Sequence, residues 1–70
     1  MNYDIDVSWD DEAGVWHAVC ESIPLALENY SYDALVARVR IAAAEILDVN
    51  GKKSKGSRLC FKTVHWEKIA

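Results

Sequence analysis

The stretch that decides the fold is YDIDVSWDDEAGVWHAVC, residues 3–20. In its first seven residues apolar and polar side chains alternate, which is typical of a strand with one buried face. The apolar set is Tyr3, Ile5, Val7 and Trp9, and the polar set is Asp4, Asp6 and Ser8. Residues 10–14 are mostly polar and end in glycine, so we expect a hairpin turn of about five residues there.

The return strand is predicted over residues 15–20, and both of its faces are largely apolar. Val15, His17 and Val19 share one face, and Trp16, Ala18 and Cys20 share the other. We therefore expect this strand to be covered on both sides. Pro24 ends the segment because proline has no N–H for a ladder, and residues 25–29 predict a short edge strand.

Residues 32–49 predict a helix. Ser31 is the expected N-cap, Asp33 lies in the first turn, and Asn50-Gly51 supplies the C-terminal stop. The predicted core stripe is Leu35, Val39, Ala42, Ile46 and Val49, flanked by Val36, Ala43 and Leu47. With a last strand over residues 58–67, we predict one α+β domain over residues 1–70. Its order is β-β-β-α-β, and its four-stranded, mainly antiparallel sheet has one helix on one face.

One helix covers only one face of such a sheet, and this predicts self-association. We expect the uncovered face to be too apolar for exposure to water. A domain of 70 residues is also marginal as an isolated core. We therefore predict a homodimer whose interface contains Trp16, Ala18, Cys20, Val64 and Trp66.

Charge is distributed unevenly along the chain. Residues 1–35 carry eight acidic residues and no Lys or Arg, whereas residues 36–70 carry eight basic residues and three acidic ones. This excludes a uniformly basic nucleic-acid binder. The acidic hairpin is a candidate surface for a basic partner, through Asp4, Asp6, Asp10, Asp11 and Glu12.

The outer face of the predicted helix is a second candidate for partner binding. Ala37, Ile41 and Ala44 form a flat apolar ridge where charged residues are usual. The alternative is that the alanines simply favour the helix and that Ile41 is a single exposed apolar residue.

No arrangement of residues predicts catalysis, a cofactor or a metal. His17 and Cys20 have opposite strand parity, as do Cys60 and His65, so these ligands would not converge. Asp4 and Asp6 lie roughly 7 Å apart on one strand face, but no third ligand is assignable. We expect a protein that is not an enzyme, and two cysteines favour free thiols, with one disulfide as the alternative.

The basic loop, residues 52–58, is the alternative site for weak nucleic-acid binding. It carries Lys52, Lys53, Lys55 and Arg58, although a short basic loop is commonly only solvated. No segment predicts a signal peptide or a membrane span, since the first Lys or Arg is Arg38 and no apolar run is longer than the four residues 41–44. We expect a cytoplasmic location and no membrane partner.

Four segments together resemble the HicB-like antitoxin superfamily, and most closely its short bacterial branch of unknown function. The segments are WDDEAGVW (9–16), IPL (23–25), YDAL (32–35) and EILDVNG (45–51). The resemblance covers roughly residues 3–51, and the hairpin is its most specific part. The glycine that the family commonly has between the equivalents of Pro24 and Leu25 is missing here.

The resemblance implies a partial ribonuclease-H-like fold that lacks the catalytic carboxylates. It also implies a protein-binding module that masks a small, basic, mRNA-cleaving ribonuclease toxin. Many members carry a C-terminal DNA-binding domain, which we do not expect in these 70 residues. The alternative is an orphan dimeric domain that has no toxin partner.

Overall fold

The computed structural model describes residues 1–70 and confirms the predicted α+β order. The elements are β1 (Asn2–Asp10), β2 (Val15–Cys20), β3 (Leu25–Asn29), α1 (Tyr32–Val49) and β4 (Arg58–Val64). The four strands form one sheet in the order β3-β2-β1-β4, with α1 packed on one face. The last strand ends at Val64, three residues earlier than the sequence pattern predicts.

The sheet is mixed, because β4 runs parallel to β1. The other two neighbouring pairs, β1 with β2 and β2 with β3, are antiparallel. In the parallel ladder Asp4 lies opposite Cys60, and Ile5 lies opposite Phe61. Strand β1 therefore lies in the interior of the sheet, and β4 lies at its edge.

The tight hairpin between β1 and β2 follows from Asp10 and Gly14. One Asp10 carboxylate oxygen accepts hydrogen bonds from the backbone N–H groups of Glu12 and Ala13, both at 3.1 Å. The Gly14 N–H donates to the Asp10 carbonyl at 2.8 Å. Gly14 has a φ of +67°, a conformation that favours glycine because it carries no Cβ.

The core lies between α1 and the face of the sheet that α1 covers. On the helix its fully buried residues recur at every fourth position, and they are Leu35, Val39, Ala43 and Leu47. Ala42 and Ile46 are half-buried at the margin of this stripe. Val49, predicted in the core, is 85% exposed because it lies about 200° around the helix from Leu47.

Three of the five predicted dimer-interface residues face α1, two of them in the core and Trp16 packed against it, so the prediction is wrong for them. Val7 pairs with Ala18, so the set Trp16, Ala18 and Cys20 faces α1. Ala18 is 0% exposed and Cys20 is 7% exposed. Trp16 packs between Trp9 and Tyr32, with both ring centroids at 5.2 Å.

The other two residues of that prediction are exposed. Val64 lies at the end of β4, on the face away from α1, and is 54% exposed; Trp66 follows the strand and is 89% exposed. His17 and Val19 also face away from the helix, so α1 covers only one side of β2.

The two cysteines are free thiols in the structure. Cys20 is buried beneath α1, whereas Cys60 is exposed on the opposite face of the sheet. Strand β1 also separates β2 from β4, so the two sulfur atoms are held apart. As to membranes, α1 does not have the length and apolar character needed to cross a bilayer.

Candidate protein-binding surface

The face of the sheet opposite α1 carries a concentration of carboxylates. Asp4, Asp6 and Asp10 alternate along β1 with the buried residues and therefore point to this side. Glu28 on β3 lies on the same side, because it pairs with His17, which in turn pairs with Ser8 of β1. Strands β1 to β3 contain no Lys or Arg. We call this surface the acidic face, consisting of Asp4, Asp6, Asp10 and Glu28.

His17 lies at the centre of the acidic face and joins two of its carboxylates. Its Nε2 atom is 3.2 Å from an oxygen of Asp10, and its Nδ1 atom is 3.5 Å from an oxygen of Glu28. The imidazole therefore lies between carboxylates of β1 and β3 and links three neighbouring strands. No group of three or more His, Cys, Asp or Glu residues is arranged to hold a metal ion.

The β1–β4 pairing brings a lysine to the margin of the acidic face. Lys62 Nζ donates to a carboxylate oxygen of Asp4 at 3.3 Å, as expected if the last strand lies beside the first. This hydrogen bond raises the pKa of Lys62 above its usual value. A shallow depression lies between the two groups and the β2–β3 turn, and it is lined by Asp4, Asp6, Glu21, Ser22 and Lys62. Asp6 makes no ion pair.

Asp10 is the most strongly held carboxylate of the surface. The backbone N–H of Ala13 is the main reason that the pKa of Asp10 lies below its ordinary value of 3.8, and the His17 ring lowers this pKa further. The same carboxylate therefore closes the turn and fixes one end of the acidic face.

The ionised Asp10 carboxylate is expected to stabilise the fold in a pH-dependent manner. Because its pKa is lower in the folded chain, this stabilisation is complete above pH 3.8 and is lost as the pH falls through the folded value. We expect Asp10→Asn to be less stable than the wild type near neutral pH, and the difference to shrink below pH 3.8. Chemical denaturation followed by circular dichroism at several pH values measures this effect.

Asp11→Asn is the matched control, because Asp11 lies in the same turn but accepts only from the Trp9 indole, at 3.1 Å. It should retain the acid dependence of the wild type. A difference between Asp10→Asn and the wild type that stays constant from about pH 7 to about pH 2 would contradict the assignment.

The structure places three of the five predicted acidic hairpin residues on the acidic face and the other two in the adjoining turn. Asp4, Asp6 and Asp10 lie on the acidic face, and Asp11 and Glu12 are exposed in the turn at its end. Sequence reasoning did not include His17 and Glu28 in this surface. The signal was present, because a hairpin register that opposes Trp9 to Trp16 places His17 beside Ser8.

The helix ridge is not continuous with the acidic face. Ala37 and Ile41 are exposed on the outer side of α1, on the other side of the molecule. Ala44 is half-buried and lines a groove of about 110 Å³ that also contains Leu47 and Leu59. The three residues lie within about 60° of one another around α1, and the docking ridge stays a prediction.

The basic loop lies at the opposite end of the sheet from the acidic turn, which is the β1–β2 turn with Asp11 and Glu12. Arg58 N–H donates to the Met1 carbonyl at 2.9 Å, which fixes the start of β4 beside the start of β1. Within the loop the Ser57 hydroxyl donates to the Lys53 carbonyl at 2.9 Å. Its four basic side chains are exposed and make no ion pair.

Fold and surface together define a class: small mixed α+β domains with one sheet face under a helix and the other open and acidic. The chain belongs to the family DUF1902, described as a domain of unknown function, which matches residues 2–68. It is similar to a hypothetical protein from the extremely thermophilic bacterium Thermus thermophilus, known from a crystal structure. The two chains are 25% identical with a TM-score of 0.71, over 100% of this chain and 99% of that one. No curated protein matches the chain.

Proposed function

We propose that this chain is a small, non-enzymatic protein-binding module of the HicB-like antitoxin type. In this proposal it acts as a cytoplasmic homodimer, and its acidic face covers a small basic protein, with a ribonuclease toxin as the partner class. The observation that carries the proposal is the acidic face, whose carboxylates come from β1 and β3 and two of which contact one central histidine.

The charge pattern supports a basic partner. Carboxylates on strands that contain no lysine or arginine attract a basic surface, accelerate encounter and disfavour acidic competitors, and Lys62 of β4 offsets this charge only at the margin, where it pairs with Asp4. Asp6 is the best placed for direct contact, because it is exposed, central on β1 and in no ion pair. Asp4 and Asp10 already have partners in Lys62 and His17, so they present a fixed rather than a mobile charge.

The toxin-type partner rests on the resemblance to HicB-like proteins, and the wide acidic surface is consistent with it. A ribonuclease must bind RNA phosphates, so its substrate-binding surface is rich in Lys and Arg. A module with an ordered acidic face would occupy that surface and compete with RNA.

The test uses a small basic protein encoded next to the gene for this chain, purified and titrated by calorimetry at two salt concentrations. We expect Asp6→Lys to weaken binding roughly tenfold or more, because a like charge replaces a complementary one at the contact. Binding by the wild type should also weaken as salt is raised.

Glu45→Lys is the matched control, since Glu45 is an exposed acid on α1, away from the acidic face. It should bind within about twofold of the wild type. Equal losses for both variants would show general charge attraction and contradict a specific site. A genome with no adjacent reading frame for a small basic protein would overturn the toxin partner and favour the orphan dimeric domain.

A further inference from the structure

We propose that a second copy of this chain pairs with the free edge of β4 in antiparallel orientation, joining two sheets into one of eight strands. The inference rests on the homodimer of the proposed function and names the surface that forms it. This interface replaces the predicted one through Trp16, Ala18 and Cys20, because those side chains pack in or against the core beneath α1.

Strand β4 is open to such pairing. It is the outer strand next to β1, and its seven residues have no neighbour on the other side. Alternate N–H and C=O groups of an edge strand point outward and form a template for another strand. A two-fold axis perpendicular to the sheet would place β4 of each copy beside β4 of the other.

Apolar side chains gather at this edge. Leu59 and Phe61 face the side of α1 but are only half-buried, because the helix lies closest to β2 and β3. The groove lined by Ala44 and Leu59 lies between α1 and β4. Pairing of two copies would bring Leu59 and Phe61 of both chains side by side and remove this apolar strip from water.

Charge selects the antiparallel orientation. The basic loop precedes β4, whereas the acidic turn lies near the end of β4, since Val64 pairs with Ser8 of β1. Antiparallel pairing places the basic loop of each copy at the end that holds the other copy's Asp11 and Glu12. Strand spacing puts the two groups roughly 12 Å apart laterally, within reach of long lysine side chains. A parallel arrangement would instead place basic loop beside basic loop.

The other edge of the sheet does not offer this complementarity. Strand β3 carries Glu28 and is preceded by Glu21, and no Lys or Arg occurs before Arg38. Self-pairing of β3 would bring like charges together, which is unfavourable in cross-strand pairs. The basic charges therefore favour β4 as the edge that a second copy occupies.

The native Cys60 thiol tests the arrangement in the full chain. Cys60 is exposed near the middle of β4, and Cys20 is buried. In the proposed dimer the two copies of Cys60 lie within roughly 5–8 Å of each other. We expect a short bismaleimide reagent to convert most of the protein to a covalent dimer, and Cys60→Ser to abolish this product.

Two matched variants, made in the Cys60→Ser background, place the reactive thiol elsewhere on the open face, which is the face of the sheet opposite α1. Val19→Cys on β2 would lie roughly 24 Å from its copy, and Ala26→Cys on β3 would lie farther still. Neither should cross-link. Efficient cross-linking through Val19→Cys would show face-to-face packing, and through Ala26→Cys would show pairing of β3; either result overturns the inference.

A charge exchange tests the orientation. Lys55→Glu and Glu12→Lys should each weaken the dimer roughly two- to fivefold in sedimentation equilibrium, and the double variant should recover most of the loss. Arg38→Glu, an exposed charge on α1, should change little. Loop variants that lower RNA affinity but leave self-association unchanged would assign the loop to nucleic acid and overturn the charge argument.

The readouts separate the two proposals. A dimer without a Cys60 cross-link contradicts the β4 interface and leaves the homodimer standing. A monomer at tens of micromolar contradicts both the β4 interface and the homodimer. Binding of a basic protein through Asp6 is a separate measurement that does not depend on either.

Discussion

Ala18→Glu is expected to abolish folding, whereas Val19→Glu, one position further along β2, leaves the fold intact. Ala18 is 0% exposed beneath α1, so a glutamate there would place an unpaired charge in the core. Such burial costs several kcal/mol, comparable with the roughly 3–5 kcal/mol that a domain of this size has in total. Val19 is 44% exposed on the open face, where a carboxylate stays hydrated.

Circular dichroism and urea denaturation of both variants measure this contrast. Ala18→Glu should lack a cooperative transition, and Val19→Glu should lie within about 1 kcal/mol of the wild type. The opposite ranking would mean that the two faces of β2 are exchanged, and it would contradict the register of the β1–β2 hairpin.

Leu35→Ala is the second substitution with a large expected effect. Leu35 is fully buried in the first half of α1, at the beginning of the stripe of four buried positions. Removing most of its side chain loses the free energy gained by burying those apolar atoms and leaves a cavity. Together these effects lower the free energy of unfolding by about 2–5 kcal/mol. We expect the variant to be largely unfolded or to have a melting temperature lower by roughly 10 °C or more.

Ile41→Ala on the same helix is the control, because Ile41 is exposed on the outer side of α1. Alanine is the better helix former, so this variant should be as stable as the wild type or slightly more stable. A loss at Ile41 similar to that at Leu35 would indicate that the outer helix face is covered, which would support its use as a docking surface.

Local patterns in the sequence predict most of the fold. Alternation in β1 identifies its buried residues correctly, because one face is apolar and the other is charged. The helix boundaries follow from Ser31, which accepts a hydrogen bond from the Ala34 N–H, and from Asn50-Gly51. The core stripe is predicted less well, because alanines and branched apolar residues occur on several sides of the helix and the pattern does not single out the buried side.

The faces of β2 could not be predicted from alternation, and the error propagated into the dimer interface. Both sets of alternate residues are mainly apolar, so the alternation does not show which set faces the core. The hairpin register decides the matter, and it depends on how Asp10 and Gly14 close the turn. The acidic hairpin residues of the binding surface were predictable from composition, whereas His17 and Glu28 required the pairing of three strands.

The position of β1 has a consequence for synthesis of the chain on the ribosome. β1 is made well before β4, so one of its edges stays uncovered until β4 has emerged. Contacts so distant in sequence form slowly, and an open hydrophobic edge can capture other nascent chains in the meantime. Asp4 and Asp6 interrupt the apolar residues of that strand, and charges in such positions act as gatekeepers against aggregation. The same carboxylates that we assign to partner binding would thus protect the unfinished chain.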